Sequence, residues 1–405
     1  MKKTIIFLML LSLTGGYGVA QEKVLLLEDA VKQSKENNPE IQAARQKYLA
    51  SKSGIIPVRN LPDPVLSIEY DSLNKMNMYG FTQEIPFWGK LSLRGKIAGN
   101  EAEMIRNGEY LSKELEVIAR TKTSYFLFLA ASKAVTIYDE SSQLMKSIIK
   151  SVEAGYITGK TSQSDVLRAQ VELSKMLNML VIMKQERDAM QAMLNVLLNN
   201  KPDTLPGSPV EPVNYDFKYS LEELTAIALK NRPELKAAKN LLEKNKLSTA
   251  LFKREYLPDF MIGYKRQYMS NTGEYAGHLD MVSLNLPLWF WKQRAMVAQS
   301  KQEQEMAQAQ YTNMENMTYY DMKVLYTKVK TYQQLINEYA NAIIPKAKQL
   351  LEISQASYQA NKTDFIDLLD SQRTLLALRL EYYQYVVEYE KNLGELERIV
   401  GRELK

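Results

Sequence analysis

Two segments about two hundred residues apart in this 405-residue chain have closely matching sequences. They run Tyr156-Ile-Thr-Gly-Lys-Thr-Ser-Gln-Ser-Asp165 and Tyr358-Gln-Ala-Asn-Lys-Thr-Asp-Phe-Ile-Asp367. Each separates two long segments of helical periodicity. At the centre stands Gly159 or Asn361, residue types that accept the left-handed backbone conformation of a tight reversal. The chain is therefore predicted to contain two long helical hairpins with matching tips.

The similarity between the two halves continues outside the tips. Asn38-Pro-Glu40, Leu61-Pro-Asp63 and Ile85-Pro-Phe-Trp88 recur as Asn231-Arg-Pro-Glu234, Leu257-Pro-Asp259 and Leu286-Pro-Leu-Trp289. Between the halves, the proline-rich residues 201–220 cannot form a helix interior and are interpreted as a connector. We therefore predict a first structural repeat in residues 21–200 and a second in residues 221–405, which together form one domain.

Each repeat is predicted to consist of a helix, two strands, a long helix, a tip and a second long helix. The strands are expected at residues 65–70, 78–85, 261–268 and 279–286, and the long helices at 89–154, 162–200, 292–357 and 363–400. A helix over residues 89–154 would be roughly 100 Å long. The return helices carry apolar residues at intervals of seven, namely Met176, Met183, Met190, Leu197 and, in the second, Leu368, Leu375, Tyr382, Tyr389 and Leu396. This spacing favours a coiled-coil-like assembly.

The four predicted strands leave two open sheet edges, which a single copy would have to protect. Three copies arranged symmetrically give twelve strands and remove the edges. The fold class expected from the sequence is therefore mainly α with a β-barrel, internally duplicated and trimeric.

The N-terminal residues and the cysteine content limit where such a chain can reside. Residues 1–20 combine Lys2 and Lys3, a short apolar stretch and Gly18-Val-Ala20, a pattern typical of a cleaved secretory signal peptide. Removal of the two lysines takes the formal charge from +5 to +3, so bulk charge gives no reason to expect a nucleic-acid partner. The chain has no cysteine, which excludes disulfides and an anchor on an N-terminal cysteine. An exported protein is expected, either soluble or crossing a membrane as a barrel.

The sequence contains no pattern typical of a catalytic site. The single histidine offers no plausible triad, the absence of cysteine excludes a cysteine–histidine pair, and no glycine-rich phosphate loop is present. We therefore expect neither enzymatic activity nor a bound cofactor.

Methionine and tryptophan each allow two interpretations. The chain has 19 methionines, and thioethers can bind Cu(I), but methionine at heptad spacing, as at Met176 and Met183, usually fills a core. We therefore assign no metal site. Trp88, Trp289 and Trp291 fall where a strand meets a long helix, so they either cap the core of the barrel or form an aromatic belt at a membrane interface.

With the repeat order and both tips in place, the sequence resembles the outer membrane factor (TolC) family over the whole mature chain. The segment Ile344-Pro-Lys-Ala through Arg373-Thr-Leu resembles in particular the branch that serves heavy-metal (cobalt-zinc-cadmium or copper-silver) efflux pumps. The resemblance implies a trimeric twelve-stranded outer-membrane barrel continuous with a periplasmic helical barrel. It further implies a passive exit duct for an inner-membrane pump, reached through a periplasmic adaptor protein.

The resemblance also implies roles for individual residues. Asp367 and Asp370 fall at the positions that line the aperture of the family, and Tyr358 falls at the gating position. The docking surface for the adaptor falls on the tips, at Gly159, Lys160, Asn361 and Lys362. The basic partner of the gate falls at Thr363, which carries no charge. Without the resemblance, Asp364, Asp367 and Asp370 read as a solvated acidic first turn favoured by the helix dipole.

Other functions stay open at this point. A duct of this kind could serve heavy-metal efflux, drug efflux or type I protein secretion. A different class is a soluble periplasmic coiled-coil scaffold or adaptor, but adaptors normally have one helical hairpin flanked by β-rich modules, whereas this chain has two hairpins.

Overall fold

A computed structural model describes residues 24–212 and 215–404 of the chain. The predicted signal peptide, residues 1–20, lies outside these residues. The first half contains β1 (Val24–Leu25), α1 (Leu27–Asn37), α2 (Pro39–Ser53), α3 (Ile55–Arg59), β2 (Val65–Asp71), β3 (Met76–Ile85), α4 (Lys90–Ile105), α5 (Ser112–Ile157) and α6 (Gln163–Leu197). The second half contains β4 (Ser208–Pro209), α7 (Leu221–Asn231), α8 (Pro233–Arg254), β5 (Asp259–Met269), β6 (Tyr275–Asn285), α9 (Phe290–Glu338), α10 (Ile344–Gln359) and α11 (Phe365–Val400).

The break between α1 and α2 lies where the sequence predicts it. Asn38 has an extended backbone before Pro39, because the proline ring disfavours the helical conformation at the preceding residue. The side chain of Asn38 then accepts a hydrogen bond of 2.9 Å from the N–H of Glu40 and caps α2.

The four long strands form one antiparallel sheet in the order β2-β3-β5-β6. Leu66 pairs with Phe81, Phe81 with Tyr264, and Ile68 with Tyr79, so these side chains share one face of the sheet. On the other face, the Lys265 ammonium lies 2.6 Å from the Glu69 carboxylate and crosses β3 at Gly80. A Cβ at Gly80 would collide with Lys265, so this position requires glycine. The first face is apolar and aromatic in its part near the helices, while Arg266, His278 and Asp280 lie on the same face toward the strand turns. The opposite face carries the Glu69–Lys265 pair.

The two long helices that enter the tips are not regular throughout, which differs from the uninterrupted pattern expected. A π-helical segment, Arg106–Leu111, separates α4 from α5, and a second one, Tyr339–Ile343, separates α9 from α10. The second lies just before Pro345, which has no N–H to donate and would clash inside a regular helix. The wider turn accommodates the proline without ending the helix.

Two separate apolar clusters hold the helices together. The larger is at mid-length, where Phe126 and Leu129 of α5 pack with residues of α9 and α11 such as Met322 and Leu396. The smaller lies behind the tips and joins Ile148, Met176 and Leu368 of three different helices. The interpretation of Met176 as core filling is confirmed, since its side chain is almost fully buried in this second cluster.

The described residues of the 201–220 segment, 201–212 and 215–220, are not helical, as expected, but they are packed more closely than a simple connector. β4 pairs in parallel with β1, and Tyr215 and Phe217 are buried in the larger cluster. The hydroxyl of Tyr125 donates to the carbonyl oxygen of Leu25 at 2.9 Å and accepts from the N–H of Val210 at 2.8 Å. A single buried phenol therefore ties both chain segments to α5.

The sheet is joined to the helices by a buried lysine. The side chain of Lys90, only 1% exposed, lies 2.9 Å from a carboxylate oxygen of Asp259 and 3.2 Å from one of Glu255. Asp259 also accepts a 2.7 Å hydrogen bond from the N–H of Phe87. A buried ammonium needs such partners. Here both partners come from the other half of the chain, so this site joins the two halves where the sheet meets the helices.

Among the described residues, no helix combines the length and the hydrophobicity needed to cross a bilayer.

Candidate functional site

The two tips have the same backbone structure. Gly159 and Asn361 have φ of 73° and 56°, in the left-handed region predicted for both. The N–H of Lys160 donates to the carbonyl of Gly155 at 2.8 Å, and that of Lys362 to Ser357 at 2.9 Å. This six-residue closure is the Schellman motif, which satisfies carbonyls left over at a helix end. Each tip consequently presents one exposed lysine directly after its turn.

The return helices begin differently at the two tips. Ser162 caps α6 by accepting from the N–H of Asp165 at 3.2 Å, while the Asp165 carboxylate accepts from the N–H of Ser162. At the start of α11, Asp364 makes no capping hydrogen bond with its side chain. The carboxylate of Asp367, which matches Asp165 in sequence, makes no hydrogen bond or ion pair within the residues that the structure describes. Equivalent aspartates therefore have different environments.

Asp367 and Asp370 lie on the exposed side of α11, away from the apolar cluster. The residues between and before them, Phe365, Leu368 and Leu369, are buried. Within the described residues, the carboxylate of Asp370 makes one distant ion pair, 3.8 Å from the guanidinium of Arg373. Two carboxylates spaced by three residues on one helix face are thus presented to solvent about one turn behind the second tip.

Tyr358 is held between the two hairpins. Its ring packs edge-on against Phe365, with 6.0 Å between the ring centroids. Its hydroxyl is buried and has no hydrogen-bond partner in the described residues, as is also true of the neighbouring Thr363 hydroxyl. Burial, and secondly the negative charge of Asp165, raises the pKa of Tyr358. An unpaired buried hydroxyl is unfavourable.

A basic residue does connect the hairpins, at a position for which the sequence predicted no role. Arg373 of α11 donates to Glu172 of α6, with Nε 3.0 Å from Oε1. The hydrogen bond from Arg373 lowers the pKa of Glu172, a carboxyl that is nearly buried. Thr363 provides no charge here, and Lys362 points into solvent without an ion pair in the described part of the chain. Sequence spacing gave no signal for this pair, because its two residues lie 201 positions apart.

The remaining candidate groups give no sign of a metal site. Within residues 24–212 and 215–404, no group of three or more histidine or acidic side chains could hold an ion. His278 lies within β6 on the exposed surface, with its ring nitrogen 2.9 Å from the hydroxyl of Tyr275. Trp88, Trp289 and Trp291 are exposed at the junction of the sheet with the helices.

Known proteins resemble the chain over most of its length. The family model described as outer membrane efflux protein matches residues 30–200 and 224–402. The chain is 21% identical over 394 residues to the cobalt-zinc-cadmium resistance protein CzcC of Cupriavidus metallidurans, which covers 93% of this chain and 90% of that protein.

Solved structures share the fold at low sequence identity. CusC superposes with a TM-score of 0.79 at 14% identity, covering 93% of this chain and 92% of the other. The outer membrane protein VceC of Vibrio cholerae superposes with a TM-score of 0.76 at 15% identity, covering 94% of this chain and 97% of the other. These likenesses show that the arrangement of one sheet and long helical hairpins is the fold of these proteins.

Proposed function

This chain belongs to the outer membrane efflux protein family, and from that premise we propose which surfaces of it cross the membrane, dock a partner and restrict the channel. The resemblance noted in the sequence is thereby confirmed. Membership makes the protein an outer-membrane exit duct of tripartite efflux, with its long helices on the periplasmic side. The predicted fold class, a helical barrel continuous with a β part, is confirmed as well.

Two observations together carry the proposal. They are the exposed apolar part of one sheet face and the two similar tips at the other end of the long helices. Leu66, Ile68, Val282 and Leu284 are all more than half exposed and lie on the same face as Phe81. Such an exposed apolar face needs a partner, and outer-membrane barrels present one to lipid. We assign this face to the bilayer, and the opposite face, which carries Glu69 and Lys265, to the interior of a barrel of three copies.

Two further assignments follow from this placement. The exposed indoles of Trp88, Trp289 and Trp291 mark the junction of sheet and helices, and we assign them to the interfacial aromatic belt. In this proposal, residues 21–200 and 221–405 are two structural repeats of one efflux domain, and residues 201–220 connect them.

We assign Asp367 and Asp370 to the walls of the aperture and Tyr358 to its gate. Support comes from the exposed position of both carboxylates close to a tip and from the unpaired Tyr358 hydroxyl beside Asp165. With three copies around one axis, six carboxylates surround the opening. Such a ring favours cations. The duct in this proposal is passive, with no enzymatic step and no cofactor, and an inner-membrane pump supplies the energy.

The periplasmic adaptor docks on the tips in this proposal, at Gly159, Lys160, Asn361 and Lys362. The matching turn geometry supports it, because three copies present six similar tips to one partner ring. The positive charges of the two lysines also stabilise the C-terminal ends of α5 and α10, because cations interact favourably with that end of the helix dipole. A test of docking must therefore separate partner binding from local helix stability.

Replacing Lys160 and Lys362 with glutamine is expected to weaken binding to the adaptor of a heavy-metal efflux system at least about tenfold, which corresponds to ~1.4 kcal/mol. Binding is measured with the purified adaptor by surface plasmon resonance. The matched control replaces Lys146 and Lys150, two exposed lysines on α5 away from the tip. Equal loss of adaptor affinity in both variants, or no loss in either, would contradict the docking role of the tip lysines. Unchanged channel conductance in the variants excludes a folding defect.

The cargo proposed is heavy-metal ions. The argument is the 21% identity to a cobalt-zinc-cadmium resistance protein over nearly the full length of both chains, together with the resemblance over Ile344–Leu375. Drug efflux and protein secretion are the alternatives. A growth assay distinguishes the cargo classes. A host that lacks its own duct is grown with and without this chain, in one series with zinc, cobalt or copper and in another with antibiotics or detergents.

The function itself is tested by recording single-channel currents of the purified protein in a planar bilayer. We expect long-lived, cation-selective conductance steps that hexaamminecobalt(III) blocks from the side of the tips. A protein that stays soluble without detergent and never inserts contradicts the duct and leaves a periplasmic scaffold as the function.

A further inference from the structure

The sheet has two outer edges that no described residue pairs with. β2 forms one edge and β6 the other, since the strand order is β2-β3-β5-β6. An open edge of seven to eleven residues presents unpaired N–H and C=O groups and readily pairs with another strand. The question is which register that pairing takes, and the internal duplication of this chain answers it.

The repeated motifs fix how strands of the two halves correspond. Leu61-Pro-Asp63 matches Leu257-Pro-Asp259, so β2 maps onto β5 by adding 196 to each residue number. Ile85-Pro-Phe-Trp88 matches Leu286-Pro-Leu-Trp289, so β3 maps onto β6 by adding 201. The structure obeys this mapping: the observed pair Val65–Thr82 becomes Met261–Ser283, which is also an observed pair.

The same mapping applies to the contact between the halves. β3 pairs with β5 in the chain, so its counterpart is β6 of one copy against β2 of the next. The observed pair Thr82–Gly263 becomes Ser283 opposite Ser67. The neighbouring pair Phe81–Tyr264 becomes Val282 opposite Ile68.

We propose that β6 of one copy pairs antiparallel with β2 of the next in the register that places Ser283 opposite Ser67. This inference rests on the proposed trimeric duct, and it deepens that proposal by naming the residues through which the copies join.

Two observations independent of the mapping agree with this register. First, it places Val282 opposite Ile68 and Leu284 opposite Leu66, all on the exposed apolar face, with exposures of 76, 81, 51 and 81%. A shift by one residue would turn the apolar side chains to the charged face. Second, the Ser67 hydroxyl lacks a hydrogen-bond partner in the described chain, whose strand β3 offers only Gly80 opposite it. The hydroxyl is enclosed in the single chain, so a change of its side-chain rotamer on assembly lets it pair with the Ser283 hydroxyl of the next copy.

The chain has no cysteine, which makes the register directly testable. Residues opposite each other on neighbouring strands have Cβ atoms about 4.5–5.5 Å apart, and a disulfide needs roughly 3.5–4.5 Å. Ser67→Cys with Ser283→Cys is therefore expected to form covalent dimers and closed trimers on mild oxidation in the outer membrane. Either single variant gives none of these species.

The register controls combine Ser67→Cys with Met281→Cys or with Asn285→Cys. Both partners lie on the same face as Ser283 but two residues away, a displacement of about 7 Å along the strand. We expect at least about tenfold less covalent product from either control, read on a denaturing gel without reductant. Single-channel recordings on all variants show that each one is assembled.

The outcomes separate the register from the duct. A control pair that cross-links better than Ser67→Cys with Ser283→Cys overturns the register and leaves the duct standing. The same holds if no pair cross-links in variants that still form channels. If no variant and no parent protein forms channels or oligomers, both the register and the proposed function fail.

Discussion

Removing the carboxylates of Asp367 and Asp370 is expected to raise single-channel conductance and to weaken block by multivalent cations. The change is Asp367→Ala together with Asp370→Ala. Both side chains are exposed on the face of α11 opposite its buried residues, close to the second tip. In a trimer the variant loses six negative charges from a single narrow ring.

The size of the effect follows from the electrostatics of such a ring. A unit charge pair at 4 Å contributes about 1 kcal/mol in water and more where water is partly excluded. When the carboxylates are removed, a trivalent cation therefore loses well over ~1.4 kcal/mol of binding free energy at the ring. The dissociation constant for block should rise by more than about tenfold. The measurement is the current through a planar bilayer against the concentration of hexaamminecobalt(III) added on the side of the tips.

The matched control neutralises Glu28 and Asp29, two exposed carboxylates in the first turn of α1. Its conductance and block should equal those of the parent. Currents that do not change in the Asp367 and Asp370 variant remove the aperture role.

The same recordings on Tyr358→Phe test the gate. Losing the hydroxyl near Asp165 should change how long the channel stays open. Unaltered open times reject Tyr358 as the gate.

Stability is expected to fall as the pH rises from about 5 to 8, and Glu390 of α11 is the expected cause. Burial raises the pKa of Glu390 to about 8; the positive charge of Lys122 opposes the shift and the negative charge of Glu397 adds to it. The folded protein therefore holds a proton that the unfolded chain releases above its ordinary pKa of 4.5. Stability from this group is present below pH 4.5 and is lost as the pH approaches 8.

Glu390→Gln keeps the shape of the side chain but cannot ionise. Since one pKa unit corresponds to 1.36 kcal/mol, up to roughly 4 kcal/mol of pH-dependent stability should disappear. We expect a Tm several degrees above that of the parent at pH 8 and little difference at pH 5. The measurement is thermal unfolding of the detergent-solubilised protein, followed by the helical circular dichroism signal between pH 5 and 8.

Glu388→Gln is the control for Glu390→Gln, because Glu388 lies two residues earlier in the same helix and is not buried. It should keep the pH dependence of the parent. A Glu390→Gln variant whose Tm still falls with pH as in the parent would assign the dependence to another group, with Glu397, whose pKa burial also raises, as the next to replace.

The sequence predicted the features that depend on neighbouring residues. Gly159 and Asn361 indicated both reversals, and Asn38-Pro39 indicated the break between α1 and α2. Short β-like runs indicated the strands, because turns, helix breaks and strand-length runs are set by short stretches of chain. The duplication also came from sequence, and with it the equivalence of the two tips. Family membership followed, because these local features recur in a fixed order.

The tertiary structure alone decided the contacts between residues far apart. Arg373 pairs with Glu172 across hairpins, and the Tyr125 hydroxyl joins β1 and β4. Such contacts depend on which helix faces are brought together, and a single sequence carries the periodicity of each face without the identity of its partner.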